Sequence, residues 1–152
     1  MLRILMGLEN IDSGCITGQK NKRFSAVFQE ERLCEYMTAI ENIRFVTPCL
    51  TVDKVRQEME KLGLGDCACQ PVSELSGGMR RRVSILRALL AEYDILCLDE
   101  PFQGLDDERK EQVLEYVKQN TVGKTVIFVT HDKEEALQLE AKIIVLSDFL
   151  IE

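Results

Sequence analysis

The sequence has no apolar run approaching the roughly 18–20 residues that cross a bilayer. Leu2, Ile4 and Leu5 are apolar, but Arg3 interrupts them and no small-residue cleavage site follows, so the opening residues do not read as a signal peptide. Both absences predict a soluble, cytoplasmic chain that meets a membrane only through a partner. An excess of basic charge is also missing. Lys and Arg number 19 against 26 Asp and Glu, a net charge of -7. Phosphate neutralisation needs the opposite balance, so no nucleic-acid partner is expected. The two basic clusters, at 20–23 and 80–82, are short and read as solvated or locally paired surface. No Cys-x-x-Cys pair occurs among the six cysteines, and the single histidine, His131, lies far from Cys67 and Cys69. Zinc-site spacings are therefore absent, and reduced thiols are expected, with Cys97 in the core.

With 152 residues, 45% of them hydrophobic, the chain suits one globular domain. Residues 2–8 read as the body of a helix without a start signal, 10–14 as a turn and 15–17 as a short strand. Residues 24–28 form a compact apolar strand ending at Gln29. Helical spacing follows at Leu33, Tyr36, Met37, Ile40 and Ile43, then at Val52, Val55, Met59, Leu62 and Leu64, with a break at Thr47-Pro48. This predicts a small helical subdomain over 30–74.

Beyond it the order is regular. Leu75-Ser76-Gly77-Gly78 reads as a turn before a helix reaching about residue 92, with Val83, Leu86 and Leu90 on one face beside Ile85 and Leu89. Residues 95–98 and 126–129 read as strands buried on both faces, and 143–146 as a further strand. Helices are expected over 106–119, with Val113, Leu114 and Val117 inward, and over 133–139. Strands alternating with helices imply an α/β fold on a parallel sheet.

In open α/β sheets the working residues gather at the carboxyl edge of the strands. Three expected strands end there in polar residues: Gln29, then Asp99-Glu100, then Thr130-His131-Asp132. Adjacent acids after an apolar strand suit Mg-nucleotide chemistry, with Asp99 holding the metal and Glu100 polarising an attacking water. The competing reading is a solvated acidic turn before Pro101. Ser76-Gly77-Gly78 offers a hydroxyl and close backbone approach at a helix N-terminus, which favours phosphate; an ordinary serine cap explains the same residues. His131 suits donation to a terminal phosphate or a purely structural place. Gln29 is either a group reaching for metal or a turn residue.

Taken in order, Gln29, Leu75-Ser76-Gly77-Gly78-Met79, Ile95-Leu96-Cys97-Leu98-Asp99-Glu100-Pro101, Gly104-Leu105-Asp106 and Val129-Thr130-His131-Asp132 resemble the ABC ATPase family over nearly the whole chain. The resemblance implies a P-loop NTPase-like parallel sheet with the helical subdomain inserted. It makes Gln29 the Q-loop glutamine, which senses metal. Ser76, Gly77 and Gly78 belong to the signature motif, Asp99 is the Walker B aspartate, and Glu100 is the catalytic glutamate. Leu105-Asp106 is the D-loop, with Asp106 in the nucleotide site, and His131 is the switch histidine. It further implies ATP and Mg2+ as cofactors, a second ATPase subunit paired head to tail, transmembrane permease subunits, and a place against the inner face of the cell membrane. The run Val27-Phe28-Gln29-Glu30-Glu31-Arg32-Leu33 and Asp99-Glu100-Pro101-Phe102 look most like importer subunits for nitrate, sulfonate or taurine. Gly104 stands where Ala is more usual in the family, and Arg81 where Gln is.

One expected element is not in the sequence: a Gly-rich phosphate loop ending Gly-Lys-Ser/Thr. Gly18-Gln19-Lys20 lacks its spacing. Residues 1–8 resemble the family's helix just after that loop, so the chain reads as a single partial ABC ATPase domain over 1–152, N-terminally truncated and lacking Walker A. By resemblance the missing strand lies between those at Val126 and Ile143. The isolated chain is then expected not to bind ATP normally and to be marginally stable. Three states fit: a fragment of an ordinary importer subunit, an inactive remnant, or a half-partner lending Ser76, Gly77 and Gly78 to an intact subunit. A non-transport ABC ATPase is the alternative class, and the compact segment at 30–74, with no sustained heptads, argues against it.

Overall fold

The computed structural model describes residues 1–145. Three parallel strands, β1 (Phe24–Val27), β2 (Ile95–Asp99) and β3 (Thr125–Val129), lie side by side in that order. Phe24 stands opposite Ile95 and Val27 opposite Leu98, while Ile95 faces Thr125 and Asp99 faces Val129. The central position of β2 explains its unbroken apolar run, since Leu96, Cys97 and Leu98 are fully buried. Burial pushes the Cys97 thiol up to about 11, which keeps it a neutral core residue. β3, expected to be buried on both faces, is only half-buried. Among the described residues it pairs with β2 alone.

Six α-helices accompany this sheet among the described residues: α1 (Leu2–Leu5), α2 (Ala39–Val46), α3 (Val52–Lys61), α4 (Gly77–Leu90), α5 (Asp107–Asn120) and α6 (Lys133–Gln138), with one 3-10 turn at Val72–Glu74. α1 is shorter than the apolar run suggests. Gly7 takes φ +70, and the Gly7 and Leu8 N–H groups donate to the Ile4 and Arg3 carbonyls at 2.9 and 2.8 Å, which closes the helix. Residues 15–17 form no strand. Residues 143–145 likewise lie outside any strand, and Leu146 falls beyond the described residues.

The helical spacing at Leu33, Tyr36 and Met37 was misleading. Asn42 takes over the backbone there, accepting from the Cys34 N–H at 2.8 Å and donating to the Cys34, Met37 and Thr38 carbonyls at 3.0, 3.3 and 3.1 Å. α2 begins only after Thr38, whose hydroxyl accepts from the Glu41 N–H at 3.2 Å while the Glu41 carboxylate accepts from the Thr38 N–H at 2.8 Å. α3 starts after a second threonine cap, Thr51, at 3.3 Å from the Lys54 N–H.

α4 is the hub. α2 and α3 pack on one side of it and β1 on another, where the buried Ser25 hydroxyl donates to the Ala88 carbonyl at 2.8 Å. The sequence marks one apolar face, yet Arg81, Arg82 and Ser84 are buried with it and Leu90 is only half-buried. α3 is tied to α5 by Tyr116, whose hydroxyl donates to Glu58 at 2.7 Å, and by Gln112, whose amide donates to the Lys61 carbonyl at 2.9 Å. One core therefore runs through α2, α3, α4, α5 and the inner strands.

Candidate functional site at the carboxyl edge of the sheet

The parallel register brings all three strand ends to one edge. β1 ends at Val27, opposite Leu98, two residues before Gln29 and Glu100 respectively. Asp99 closes β2 opposite Val129, so the chain beyond β3 passes directly beside Glu100.

Glu100 leaves β2 in a left-handed conformation, φ 47, uncommon for a residue with a side chain and a mark of stored strain. Its N–H still donates to the Val129 carbonyl at 2.9 Å, continuing the ladder one step beyond the strand. The turn carries its carboxylate to His131. Oε1 accepts from the His131 N–H at 3.1 Å and lies 2.9 Å from Nδ1. The hydrogen bond to Glu100, and then its charge, raise the His131 imidazole above its ordinary value. Behind the pair, Pro101 and Phe102 are buried, and Phe102 packs on Phe128 with ring centroids 5.8 Å apart.

The loop after β3 is held by a network that the sequence reading passed over. Lys110 on α5 bridges Asp132 at 2.8 Å and the buried Glu135 at 2.6 Å. Thr130 donates to Glu135 at 2.6 Å and accepts from the Asp132 N–H at 3.0 Å. Hydrogen bonds to Asp132 and Glu135 push the Lys110 ammonium up, so it stays charged. The legible signal was Asp132 followed three residues later by Glu135, the spacing of a helix start.

A second cluster lies where α4 and α5 begin. Ser76 caps α4, its Oγ accepting from the Met79 N–H at 3.3 Å, so Gly77 and Gly78 form the helix's first turn rather than a turn before it. Ser76 and Gly77 are exposed, and a side chain on Gly77 would meet nothing within 4 Å. Gly78 backs onto the neighbouring loop, where an added Cβ would lie 3.6 Å from Leu105 and 3.7 Å from the Gly104 carbonyl. Asp106 caps α5, accepting from the Arg109 N–H at 3.0 Å.

Of the residues singled out in sequence, Asp99, Glu100 and His131 come together at the sheet edge, with Gln29 exposed on the adjoining strand end. Ser76, Gly77, Gly78 and Asp106 form the separate cluster, and no hydrogen bond among the described residues joins it to Glu100 or His131. Arg81, which read in sequence as a mild departure, ties α4 to the backbone of the Gln29 segment. It donates to the Phe28 carbonyl at 2.6 Å and the Gln29 carbonyl at 2.7 Å.

The donor sets fit magnesium and phosphate in part. Asp99 and Glu100 offer hard oxygen ligands at a half-buried strand end, as Mg2+ requires. The exposed first turn of α4 presents N–H groups to an anion. A Gly-Lys-Thr run not singled out in the sequence reading, at 123–125, leads into β3 and not into a helix, so it does not form a phosphate loop.

The ABC transporter family matches residues 1–103. The sulfate/thiosulfate import ATP-binding protein CysA of Vibrio cholerae is 33% identical over all of this chain and 46% of its own length. The spermidine/putrescine import ATP-binding protein PotA of Desulfitobacterium hafniense is 39% identical over 97% of this chain and 47% of its own. The chain thus spans about half the length of these curated relatives. A dimeric structure of MJ0796, a bacterial ABC transporter cassette, superposes with a TM-score of 0.68 at 30% identity, covering 79% of this chain and 57% of that one. The same cassette in a post-hydrolysis dimer bound to ADP and Pi gives a TM-score of 0.66.

Proposed function

The chain belongs to the ABC transporter family, and from that premise we propose that it serves as an ATP-binding and ATP-hydrolysing subunit of an importer. The observation that carries this reading is the contact of Glu100 with His131 beside Asp99, at 2.9 Å across the carboxyl edge of a parallel sheet. Phosphoryl transfer to water is mostly positioning and charge stabilisation, and these three residues supply both. Asp99 and the Gln29 side chain would hold Mg2+, which would neutralise phosphate charge. Glu100 is the general base, drawing a proton from the attacking water. His131 donates from Nε2. With Nδ1 turned to Glu100, a neutral ring carries its proton there and leaves Nε2 an acceptor. The raised pKa of His131 favours the imidazolium, which donates from both nitrogens.

The exposed Ser76-Gly77 turn and Asp106 suit a head-to-tail pairing in which this cluster faces the nucleotide of a second ATPase subunit. Permease subunits at the inner face of the cell membrane complete the assembly, with residues 30–74 as the helical subdomain between them and Gln29. Among the described residues no helix is long and apolar enough to cross a membrane. The residues supporting the nitrate, sulfonate or taurine group are those of 27–33 and 99–102; the relatives named above serve sulfate/thiosulfate and spermidine/putrescine. The solute is chosen by the membrane subunits and a binding protein.

The test is Glu100→Gln in the assembled ATPase. ATP binding is expected to survive and turnover to stop. Unchanged turnover would remove Glu100 from the role of base. The half-partner reading is tested by mixing the chain with an intact subunit, whose ATPase rate changes only if Ser76, Gly77 and Gly78 complete its site.

A further inference from the structure

Arg81, Ser84 and Arg87 follow the Ser76-Gly77-Gly78 turn at three-residue intervals, so they fall along one stripe of α4. All three turn their donors onto one stretch of backbone. Arg81 Nη1 and Nη2 donate to the Phe28 and Gln29 carbonyls at 2.6 and 2.7 Å. The Ser84 hydroxyl donates to the Glu31 carbonyl at 3.2 Å. Arg87 donates to the Glu31 and Arg32 carbonyls at 3.2 and 3.0 Å. The segment that carries Gln29 is thus fastened to α4 by its carbonyls, with the Gln29 side chain left exposed.

Arg81 is the decisive member. It is 4% exposed and forms no ion pair within 4.0 Å among the described residues. Its guanidinium gives both terminal nitrogens to backbone, one to each of two consecutive carbonyls. A planar fork spans that pair; a lysine ammonium is a point donor and does not. Hydrogen bonds from a charged donor are shorter and about twice as strong as neutral ones, which matches these distances. Burial lowers the guanidinium's pKa, while the carboxylates of Glu31, Asp99 and Glu100 act the other way. Arg81 therefore lies in the field of the acidic sheet edge as well as beneath Gln29.

We propose that Arg81 is a positioning residue that locks the backbone of Gln29 to the helix bearing Gly77 and Gly78, so that the Gln29 segment and the Ser76-Gly77-Gly78 turn move as one body. The lock itself is a matter of contacts. Its consequence for catalysis rests on the function proposed above, in which Gln29 meets the metal and the α4 turn faces a partner's nucleotide.

The experiment compares the full chain with Arg81→Met, Arg81→Lys and Arg81→Gln by two readouts. Carbonyl 13C resonances of Phe28 and Gln29 report whether each oxygen still accepts a strong hydrogen bond. Trypsin cleavage after Arg32 reports opening of the segment. Arg81→Met is expected to shift both resonances upfield and speed cleavage about tenfold. Arg81→Lys, the variant that keeps the charge if Arg81→Met does not fold, is expected to restore one resonance and not the other. Arg81→Gln should give an intermediate cleavage rate. Unmoved resonances in Arg81→Lys, or cleavage accelerated equally at every site of the chain, would overturn the lock. In the assembled ATPase the same variants should raise the half-saturating Mg2+ concentration several-fold and leave kcat at saturating Mg2+ within about twofold. A parental assembly with no turnover would count against the proposed function and leave the resonances to decide the lock.

Discussion

Glu100 and His131 are 31 residues apart in sequence, and their side chains meet with Oε1 and Nδ1 at 2.9 Å. The contact exists because β2 and β3 are parallel and in register to their last residues, and because Glu100 turns back at the strand end. It makes the two residues one hydrogen-bonded unit.

The first prediction concerns that unit. The His131 pKa is raised by the hydrogen bond to Glu100 and by its charge. A raised folded value means that the ionic attraction is complete below the ordinary histidine pKa of about 6.5 and is lost as pH rises through the higher, folded value. His131 is the only histidine, so its ring protons are assigned without ambiguity. Proton NMR is expected to show a midpoint above the ordinary value, falling back towards it in Glu100→Gln, where the charges of Glu135 and Asp132 remain. A parental midpoint at or below the ordinary value would exclude the pairing.

Ser76 separates two roles that sequence alone leaves tied. Its Oγ caps α4, so Ser76→Ala should cost about 1 kcal/mol in urea unfolding. Ser76→Asp keeps a good cap and should stay within about 0.5 kcal/mol of the parent. It also sets a negative charge where the partner's phosphate is expected. If the cap were the whole role, Ser76→Asp would behave as the parent in every assay. The expected result is parental stability with loss of nucleotide-dependent association.

Glu58 gives an acid-sensitive tie between α3 and α5. Burial alone would raise its pKa, but hydrogen bonds from Lys54, Lys61 and Tyr116 outweigh it and bring the carboxylate to about 2. A depressed folded value means that its stabilisation is complete above the unfolded pKa of about 4.3 and drains away as pH falls towards 2. Tyr116→Phe removes the 2.7 Å bond to a charged acceptor and should cost about 1.5–3 kcal/mol near neutrality. That difference should shrink as melts are repeated from about pH 5 downwards. A constant difference at every pH would mean that Tyr116 acts through packing alone.

Much of this was legible in the sequence. Residues 24–28, 95–98 and 126–129 were marked as strands by apolar runs, and their polar ends named Gln29, Asp99, Glu100 and His131. Local chemistry also placed α5 and α6 to within one residue at each end. Where reading failed, the cause was non-local. The Leu33, Tyr36 and Met37 spacing fits a helix, but Asn42 captures the backbone that would build it. Arg80, Arg81 and Arg82 read as one basic surface run. In the fold Arg81 and Arg82 are buried, and their partners are carbonyls of residues 28, 29, 62, 63 and 78 and not acids nearby in sequence. A side chain that bonds to backbone leaves no complementary charge for a sequence pattern to reveal.

The backbone at Glu100 offers the last prediction, because strain and chemistry there pull in opposite directions. A left-handed φ of 47 costs a residue with a Cβ roughly 1–2 kcal/mol, and glycine avoids that cost. At an ordinary position Gly is less stable than Ala by about 0.5–1 kcal/mol, since it loses more freedom on folding. At position 100 the order should reverse, with Glu100→Gly more stable than Glu100→Ala by about 1 kcal/mol. Both variants remove the carboxylate, so the lost contact with His131 cancels in the comparison and only the backbone remains. Both should lack turnover, which sets the strain against the need for a carboxylate at this turn. Thermal melts of the two variants side by side decide it: Glu100→Ala melting at or above Glu100→Gly would mean that the turn holds no strain, and that the carboxylate reaches His131 without any cost in the backbone.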